Sequence, residues 1–307
     1  MTDPFLDLIR LLRPNATLWT RVEASGCWGL SFHRHDDLLF CWVERGSCHL
    51  SRPDSAPIAL QENDFVLVRT STPFSLVSDL NVDEAEATDS ESVLAGSGSI
   101  AALGSGSSPK TVLRGGKFIF DTVNEQLLTG LLPQVMYVAS KADGSEHLRM
   151  LLKMNEIETS APSPGSEFVI ARLMELVLVE VLRNKTWEQG KAKTGLLAGL
   201  NDLVTAKALR AMHSNVAQPW TTEKLARLCG TSRSSLGARF AKIVGLGPIE
   251  YLQQWRIALA KDELRSGLRN IGEIAQAIGF RSGSAFSTAF TRATGCSPRQ
   301  FVDRSRT

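Results

Sequence analysis

The spacing of apolar residues changes character along the chain. Between Phe32 and Val77 they fall in short blocks: Leu38-Leu39-Phe40-Cys41-Trp42-Val43, Cys48 to Ser51, Ile58 to Leu60, Phe65 to Val68 and Ser75-Leu76-Val77. Glu44-Arg45-Gly46, Asn63-Asp64 and Pro73 separate them. Short blocks rich in aromatic and apolar residues and bounded by turn formers predict the strands of a sandwich or barrel. The segment 83–109 is poor in large apolar residues. It carries Gly96-Ser97-Gly98-Ser99 and Gly104-Ser105-Gly106-Ser107-Ser108, which predicts a flexible loop. Strand character returns at Thr111-Val112-Leu113 and Lys117-Phe118-Ile119-Phe120.

From Glu146 the apolar period becomes helical. Leu148, Leu151, Leu152 and Met154 mark one side of a helix over Glu146–Glu158, and Ala161-Pro162-Ser163-Pro164-Gly165 breaks it. Ser166 is expected to N-cap a second helix over Glu167–Arg183. That helix is apolar nearly all round, which requires burial on more than one side. The two readings are a core helix and a homodimer interface. The second is favoured, because helices that follow a small β domain have few other partners. Trp187 to Thr194 is polar and basic and reads as linker.

The last hundred residues contain an internal repeat. Leu225-Ala226, Gly230, Ser232, Leu236, Phe240, Gly245, Pro248 and Tyr251 return as Ile274-Ala275, Gly279, Ser282, Phe286, Phe290, Gly295, Pro298 and Phe301. A capped helix begins after Trp220-Thr221, Gly230 turns the chain in a left-handed conformation, and Ser232 caps a second helix. Leu236, Phe240 and Ile243 bury one stripe of that helix, leaving a polar outer face. This is a helix-turn-helix, and it occurs twice, over about 222–243 and 270–293. A helix from Pro248 to about Leu264 spaces the units, which suits successive major-groove segments on one DNA face.

Charge supports this division. The net charge is +2, but 203–307 holds 16 Lys/Arg against 6 Asp/Glu, or +10; by difference from the totals of 34 and 32, 1–202 holds 18 against 26, or −8. A basic C-terminal third behind an acidic front is expected where one domain meets phosphate. The longest apolar stretch, Phe168 to Leu182, is interrupted by Arg172, Glu175 and Glu180, which argues against a membrane span. The N-terminus lacks a signal-peptide pattern, so a cytoplasmic location is expected. Five cysteines without a C-x-x-C argue against a disulfide framework.

Residues 203–307 resemble the AraC/XylS transcription regulators. Met212-His213, Trp220-Thr221, Leu225-Ala226, Gly230-x-Ser232, Leu236-x3-Phe240, Gly245-x2-Pro248, Arg256, Ile274-Ala275, Gly279-Phe280, Ser282, Phe286, Phe290 and Gly295-x-Ser297-Pro298 carry the resemblance. It implies base-facing positions at Ser234, Gly237 and Ala238 in the first unit and at Gly283, Ser284, Ser287 and Thr288 in the second. The sequence departs from the family at Ala238 and Thr288, where arginine is common. Arg233, Arg239, Arg281 and Arg292 are left as candidates for phosphate contact, with a solvated helix face as the plain alternative for Arg239 and Arg292.

Residues 1–185 resemble the cupin-type sensor domains that precede this DNA-binding domain, through Asp3-Pro4-x2-Asp7-Leu8-x2-Leu11-Leu12-Arg13-Pro14, Trp28-Gly29-Leu30, Gly46-Ser47-Cys48 and Asn63-Asp64-Phe65. The expected fold is therefore α+β and multidomain: a cupin-like β-barrel with following helices over 1–185, a linker over 186–202, and an all-α double helix-turn-helix over 203–307. Within the barrel, Trp28, Phe40 and Trp42 are the default ligand pocket or plain core. His33-x-His35 with Glu44 begins a metal-cupin set, but Phe74 stands at the later histidine position, so neither metal nor cofactor is assigned. Cys27, Cys41 and Cys48 are redox candidates, with Cys41 and Cys48 placed across a hairpin.

The leading function is a sequence-specific regulator, activator or repressor, responding to a small molecule or redox signal. Its expected partners are double-stranded DNA, a small-molecule effector, a second copy and RNA polymerase. One alternative is a metal-cupin enzyme fused to DNA-binding helices. Another is an architectural or partner-binding protein with degraded base readout, which Ala238, Gly283 and Thr288 keep open.

Overall fold

The computed structural model describes residues 3–19, 21–35, 37–53, 55–82, 87–94, 100–106, 110–120, 132–183 and 195–305. They divide into two compact units. One draws on Pro14–Ile119 and Pro133–Ala192, the other on Met1–Arg13, Phe120–Leu132 and Lys193–Thr307.

The first unit is built on two sheets. In one, β1 (Asn15–Leu18), β2 (Arg21–Ser25), β4 (Leu38–Arg45), β7 (Phe65–Arg69), β10 (Ile100–Gly104), β11 (Thr111–Ile119) and β12 (Val135–Val138) run in the order β10-β2-β11-β4-β7-β12, with β1 also paired to β11. In the other, β3 (Gly29–Phe32), β5 (Ser47–Arg52), β6 (Ser55–Gln61), β8 (Phe74–Val77) and β9 (Thr88–Asp89) run β6-β5-β8-β3-β9. Val22, Leu39, Val43, Val66 and Leu113 of the first sheet share one core with Leu30, Phe32, Leu50, Leu60 and Leu76 of the second.

The Glu44-Arg45-Gly46 turn does not close a hairpin. β4 pairs with β7 and β11, whereas β5 pairs with β6 and β8, so the chain changes sheets at Gly46. Gly46 has φ +84°, and a Cβ there would lie 2.1 Å from the Lys110 carbonyl oxygen, so the corner is too tight for a side chain. The cross-hairpin placement of Cys41 and Cys48 is corrected accordingly. They lie on strands of different sheets and both face the shared core.

The segment expected to be a loop over 83–109 contains ordered elements in its described parts. Thr88–Asp89 pairs parallel with β3, helix α2 covers Ser90–Leu94, and Ile100–Gly104 pairs parallel with β2. The edge of β2 offers backbone donors and acceptors, and the short Ile-Ala-Ala-Leu run between the Gly-Ser stretches satisfies them. Residues 83–86, 95–99 and 107–109 of that expectation lie outside the described residues.

Two helices, α3 (Glu146–Ser160) and α4 (Ser166–Arg183), pack on one another, and α4 also packs on β1. Leu173, Met174, Val177, Leu178, Val181 and Leu182 form one broad buried face of α4, rather than an all-round one. Phe168 and Leu176 remain exposed. Ser166 does not cap α4 forward: its hydroxyl donates to Glu158 and accepts the Ser163 N–H.

The second unit begins with an N-terminal helix that the sequence pattern did not single out. Helix α1 (Pro4–Leu12) is capped by Asp3, whose carboxylate accepts the Phe5 N–H at 3.0 Å. It buries Leu8, Leu11 and Leu12. Its neighbours are α6 (Leu203–Ser214) and α9 (Pro248–Ser266) of the C-terminal helices. Arg13 adds an ion pair to Asp262 at 2.7 Å. A further helix, α5 (Leu196–Asn201), lies where linker was expected and buries Leu196 and Leu197. The expected linker residues 186–194 lie outside the described residues.

Candidate nucleic-acid interface

The repeat in the sequence becomes two helix-turn-helix units. In the first, Thr221 accepts the Lys224 N–H and starts α7 (Thr222–Cys229). Gly230 turns at φ +70°, and Ser232 caps α8 (Arg233–Val244) by accepting the Ser235 N–H. Leu225 and Ala226 pack beneath Leu236 and Phe240, all buried. The buried stripe of α8 continues through Val244, while Ile243 is only half-buried. In the second unit, Asn270 caps α10 (Ile271–Ala277) and Ser282 caps α11 (Gly283–Thr294). Ile274, Ala275, Ile278, Phe286 and Phe290 form its core. A last helix, α12 (Pro298–Ser305), contributes Phe301, whose ring meets Phe290 edge-on at 5.3 Å.

The spacer helix α9 serves both units. Tyr251, Leu252 and Trp255 are buried in its first half, and Ile257, Ala260 and Leu264 join the second core. Arg256 at its centre donates from Nε and Nη2 to the Val216 carbonyl and from Nη2 to that of Gln218, at 2.7–3.0 Å. The loop entering the first unit is thereby tied to the spacer.

The expected base-facing positions lie on the outer faces of α8 and α11. Ser234, Ala238, Ser284 and Thr288 are exposed, and Gly237, Gly283 and Ser287 are half-exposed. A Cβ at Gly237 or Gly283 would meet nothing within 4 Å, so both glycines open outward and permit close approach of a partner. The hydroxyls of α11 turn inward. Ser287 donates to the Gly283 carbonyl at 2.8 Å and Thr288 to that of Ser284 at 3.0 Å. Their protons are occupied, so they offer lone pairs, and Thr288 also a methyl group. Such a surface suits thymine methyls and base amino groups rather than bidentate guanine readout.

The arginines divide into two kinds. Arg233 is held by Glu223 at 2.7 Å, and Arg239 is bound through Nε and Nη2 by Asp202. Arg281 and Arg292 are exposed and form no ion pair among the described residues. Asp202 also caps α6 by accepting the Thr205 N–H at 2.9 Å. The Arg239 guanidinium, with Thr205, holds the Asp202 carboxyl down at about 2, below its usual 3.8. A depressed folded-state value means that the stabilisation is complete above the unfolded value and fades as pH falls toward 2. The stability difference between wild type and Asp202→Asn should therefore be full at about pH 5 and shrink below about pH 3.5 in urea titrations.

In the sheet unit, the proposed pocket residues are not brought together. Trp28 joins the core between the sheets, whereas Phe40 and Trp42 point to the other side of β4 and stack with each other and, through Phe40, with Phe65 and Phe118. All three are buried. Burial pushes the Cys41 thiol well up, and Cys48 up to about 12 with Asp64 adding to the effect. Both are held as inert thiols, while Cys27 is exposed. In native protein, iodoacetamide is expected to label Cys27 and spare Cys41 and Cys48 until denaturant is added, as peptide mass mapping would show.

The metal-cupin set is not assembled. His33 and His35 pair with Asp89 and Glu91, Glu44 is engaged by Arg21 and Arg114, and Phe74 stacks on Phe32 at 4.4 Å. No group of three or more His, Cys, Asp or Glu able to hold a metal occurs among the described residues.

Comparison with known proteins agrees with this arrangement. The family model described as Cupin matches residues 3–186, and that described as Helix-turn-helix domain matches 225–304. An AraC-like transcription regulator of Streptomyces antibioticus is 36% identical, the alignment covering 97% of this chain and 98% of that protein. The HTH-type transcriptional regulator AlkR of Acinetobacter baylyi is 28% identical, covering 95% and 96%. The solved structure of ToxT from Vibrio cholerae aligns with TM-score 0.34 at 14% identity, over 94% of this chain and 96% of that one. With a cupin domain ahead of two helix-turn-helix units and a relative 36% identical along almost its whole length, the chain belongs to the AraC family and is a DNA-binding transcription regulator.

Proposed function

We propose that this regulator reads specific DNA sites through α8 and α11, is controlled by a small molecule bound in its sheet unit, and has no catalytic role. The observation that carries base readout is the pair of capped recognition helices with small residues outward, Ala238 and Gly237 on one and Thr288 and Gly283 on the other. Small side chains bring the helix backbone close to base edges and DNA shape, and the arginines Arg233, Arg239, Arg281 and Arg292 supply phosphate contacts. Arg281 and Arg292 are available at once, whereas Arg233 and Arg239 first exchange a carboxylate for phosphate. Selection of fragmented genomic DNA on the full-length protein, near physiological salt, tests the reading. A few enriched sites sharing a motif support it; salt-sensitive binding without a motif overturns it in favour of an architectural role.

The protein is further read as a cytoplasmic homodimer that acts with RNA polymerase at its promoters. No helix among the described residues is long and apolar enough to cross a membrane. Of thirteen large hydrophobic side chains exposed among the described residues, six lie on α3 and α4: Met150, Met154, Ile157, Phe168, Val169 and Leu176. Met150, Met154 and Ile157 follow i, i+4, i+7 and so share one helix face. An apolar patch this concentrated marks an interaction surface, and a two-fold axis lets a second copy cover it with the same patch. Sedimentation is expected to show a dimer that Phe168→Glu converts to monomer, Phe168 being 67% exposed and outside the core.

A further inference from the structure

The sheet unit contains one cleft whose lining suggests what it binds. It measures about 510 Å³, a size suited to a small ligand. One wall is apolar: Trp19, Phe32 and Leu39 line it. Behind that wall the rings of Trp19, Phe32 and Phe74 form a continuous stack, with centroid separations of 5.5 and 4.4 Å. Trp19 rests on the backbone of Gly115, where a Cβ would lie 2.8 Å from its ring. The indole is thereby fixed in place without filling the cleft.

The rim is charged, and unevenly. Asp37 and Glu91 line the cleft with Lys117, and Asp89 stands next to them holding His33 at 3.3 Å. Among the described residues Glu91 is paired only with the His35 imidazole, at 3.2 Å, and Lys117 reaches Asp37 at a long 3.8 Å. Two carboxylates, Asp37 and Glu91, thus line the cleft with one ammonium and the imidazoles of His33 and His35, each imidazole beside a carboxylate, and the neighbouring Arg34 is exposed without lining the cleft. Ser90, only 5% exposed, also lines the cleft.

We propose that this cleft binds an organic cation, with its apolar body on Trp19 and Phe32 and its positive group beside Glu91 and Asp37. An anion would have to displace carboxylates that remain close enough to repel it. A cation meets those carboxylates and the negative faces of the aromatic rings together. The proposal rests on reading the sheet unit as the sensor, and it adds the chemical class of the effector.

The test is calorimetric titration of full-length protein with benzyltrimethylammonium, benzyl alcohol and benzoate, three probes of similar shape and different charge. The ammonium probe is expected to bind about tenfold more tightly than either other probe. Glu91→Gln, at a side chain 70% exposed and outside any core, should remove most of that preference. Trp19→Leu should weaken all three probes. Equal or tighter binding of benzoate or benzyl alcohol overturns the cation class and leaves the sensor reading intact. No binding of any probe at 10 mM overturns the cleft itself. DNA occupancy is measured in the same samples: cation binding that leaves occupancy unchanged upholds the site and removes its role as the effector site.

Discussion

Replacing Gly279 by alanine is expected to cost about 3 kcal/mol or more and to abolish DNA binding, while the same change at Gly230 costs about 1 kcal/mol. The two glycines occupy equivalent turns of the repeat, and both adopt left-handed backbone, at φ +86° and +70°. An alanine pays that conformational strain at either site. The surroundings differ. A Cβ at Gly230 meets nothing within 4 Å. At Gly279 it would lie 2.4 Å from the Ala217 carbonyl oxygen and 2.7 Å from the Arg256 guanidinium. Neither can simply withdraw, because Arg256 is bonded to the carbonyls of Val216 and Gln218 on either side of Ala217. The second turn is packed against the loop that leads into the first helix-turn-helix, so displacing it disturbs both units. Urea denaturation and DNA-binding titration of the two single variants check this. Equal losses would mean that the close approach at Gly279 contributes nothing.

The His213→Ala variant is expected to lose about 3 kcal/mol, lowering the melting temperature of the helical unit by about 10 °C or more. The His213 side chain is fully buried, with Nδ1 2.9 Å from an Asp7 carboxylate oxygen and Nε2 2.8 Å from the Tyr251 hydroxyl. The carboxylate can only accept, so Nδ1 carries a proton and donates to Asp7. Tyr251 is 1% exposed, and burial pushes its phenol well up, so the hydroxyl keeps its proton. Removing the imidazole leaves that hydroxyl without a partner and opens a void beside Trp255, whose ring lies 4.4 Å from that of His213. Asp7→Ala should cost less, because its carboxylate is 21% exposed and water replaces part of the lost contact. A differential scan of both variants would show the order. A loss for His213→Ala no larger than for Asp7→Ala would remove the buried chain as the source of the effect.

The α1 contact shows why one part of the fold escaped the sequence pattern. Asp3-Pro4 and the Leu8, Leu11, Leu12 spacing are legible as a capped amphipathic helix. Nothing local says which surface its apolar face covers, and it is Asp7 meeting His213, 206 positions away, that ties it to the C-terminal helices. The cleft is similar. His33, His35 and Lys117 are individually visible, but the aromatic wall depends on β1 and β11 bringing Trp19 over Gly115, which is a matter of register.

By itself, the sequence determined the double helix-turn-helix, its caps at Thr221, Ser232 and Ser282, its glycine turns and its buried Phe240, Phe286 and Phe290. These features are local: capping, left-handed turns and helical periodicity act over a few residues and leave a readable spacing. It also determined which residues face outward on the recognition helices, because the buried stripe fixes the opposite face. Only the tertiary structure decided that Arg233 and Arg239 are held by Glu223 and Asp202 while Arg281 and Arg292 are not. It alone separated Trp28 from Phe40 and Trp42, put Cys41 and Cys48 on different sheets, and distinguished Gly279 from Gly230. Each of these depends on which distant backbone packs alongside, and contacts between residues far apart in the chain leave no period in the sequence.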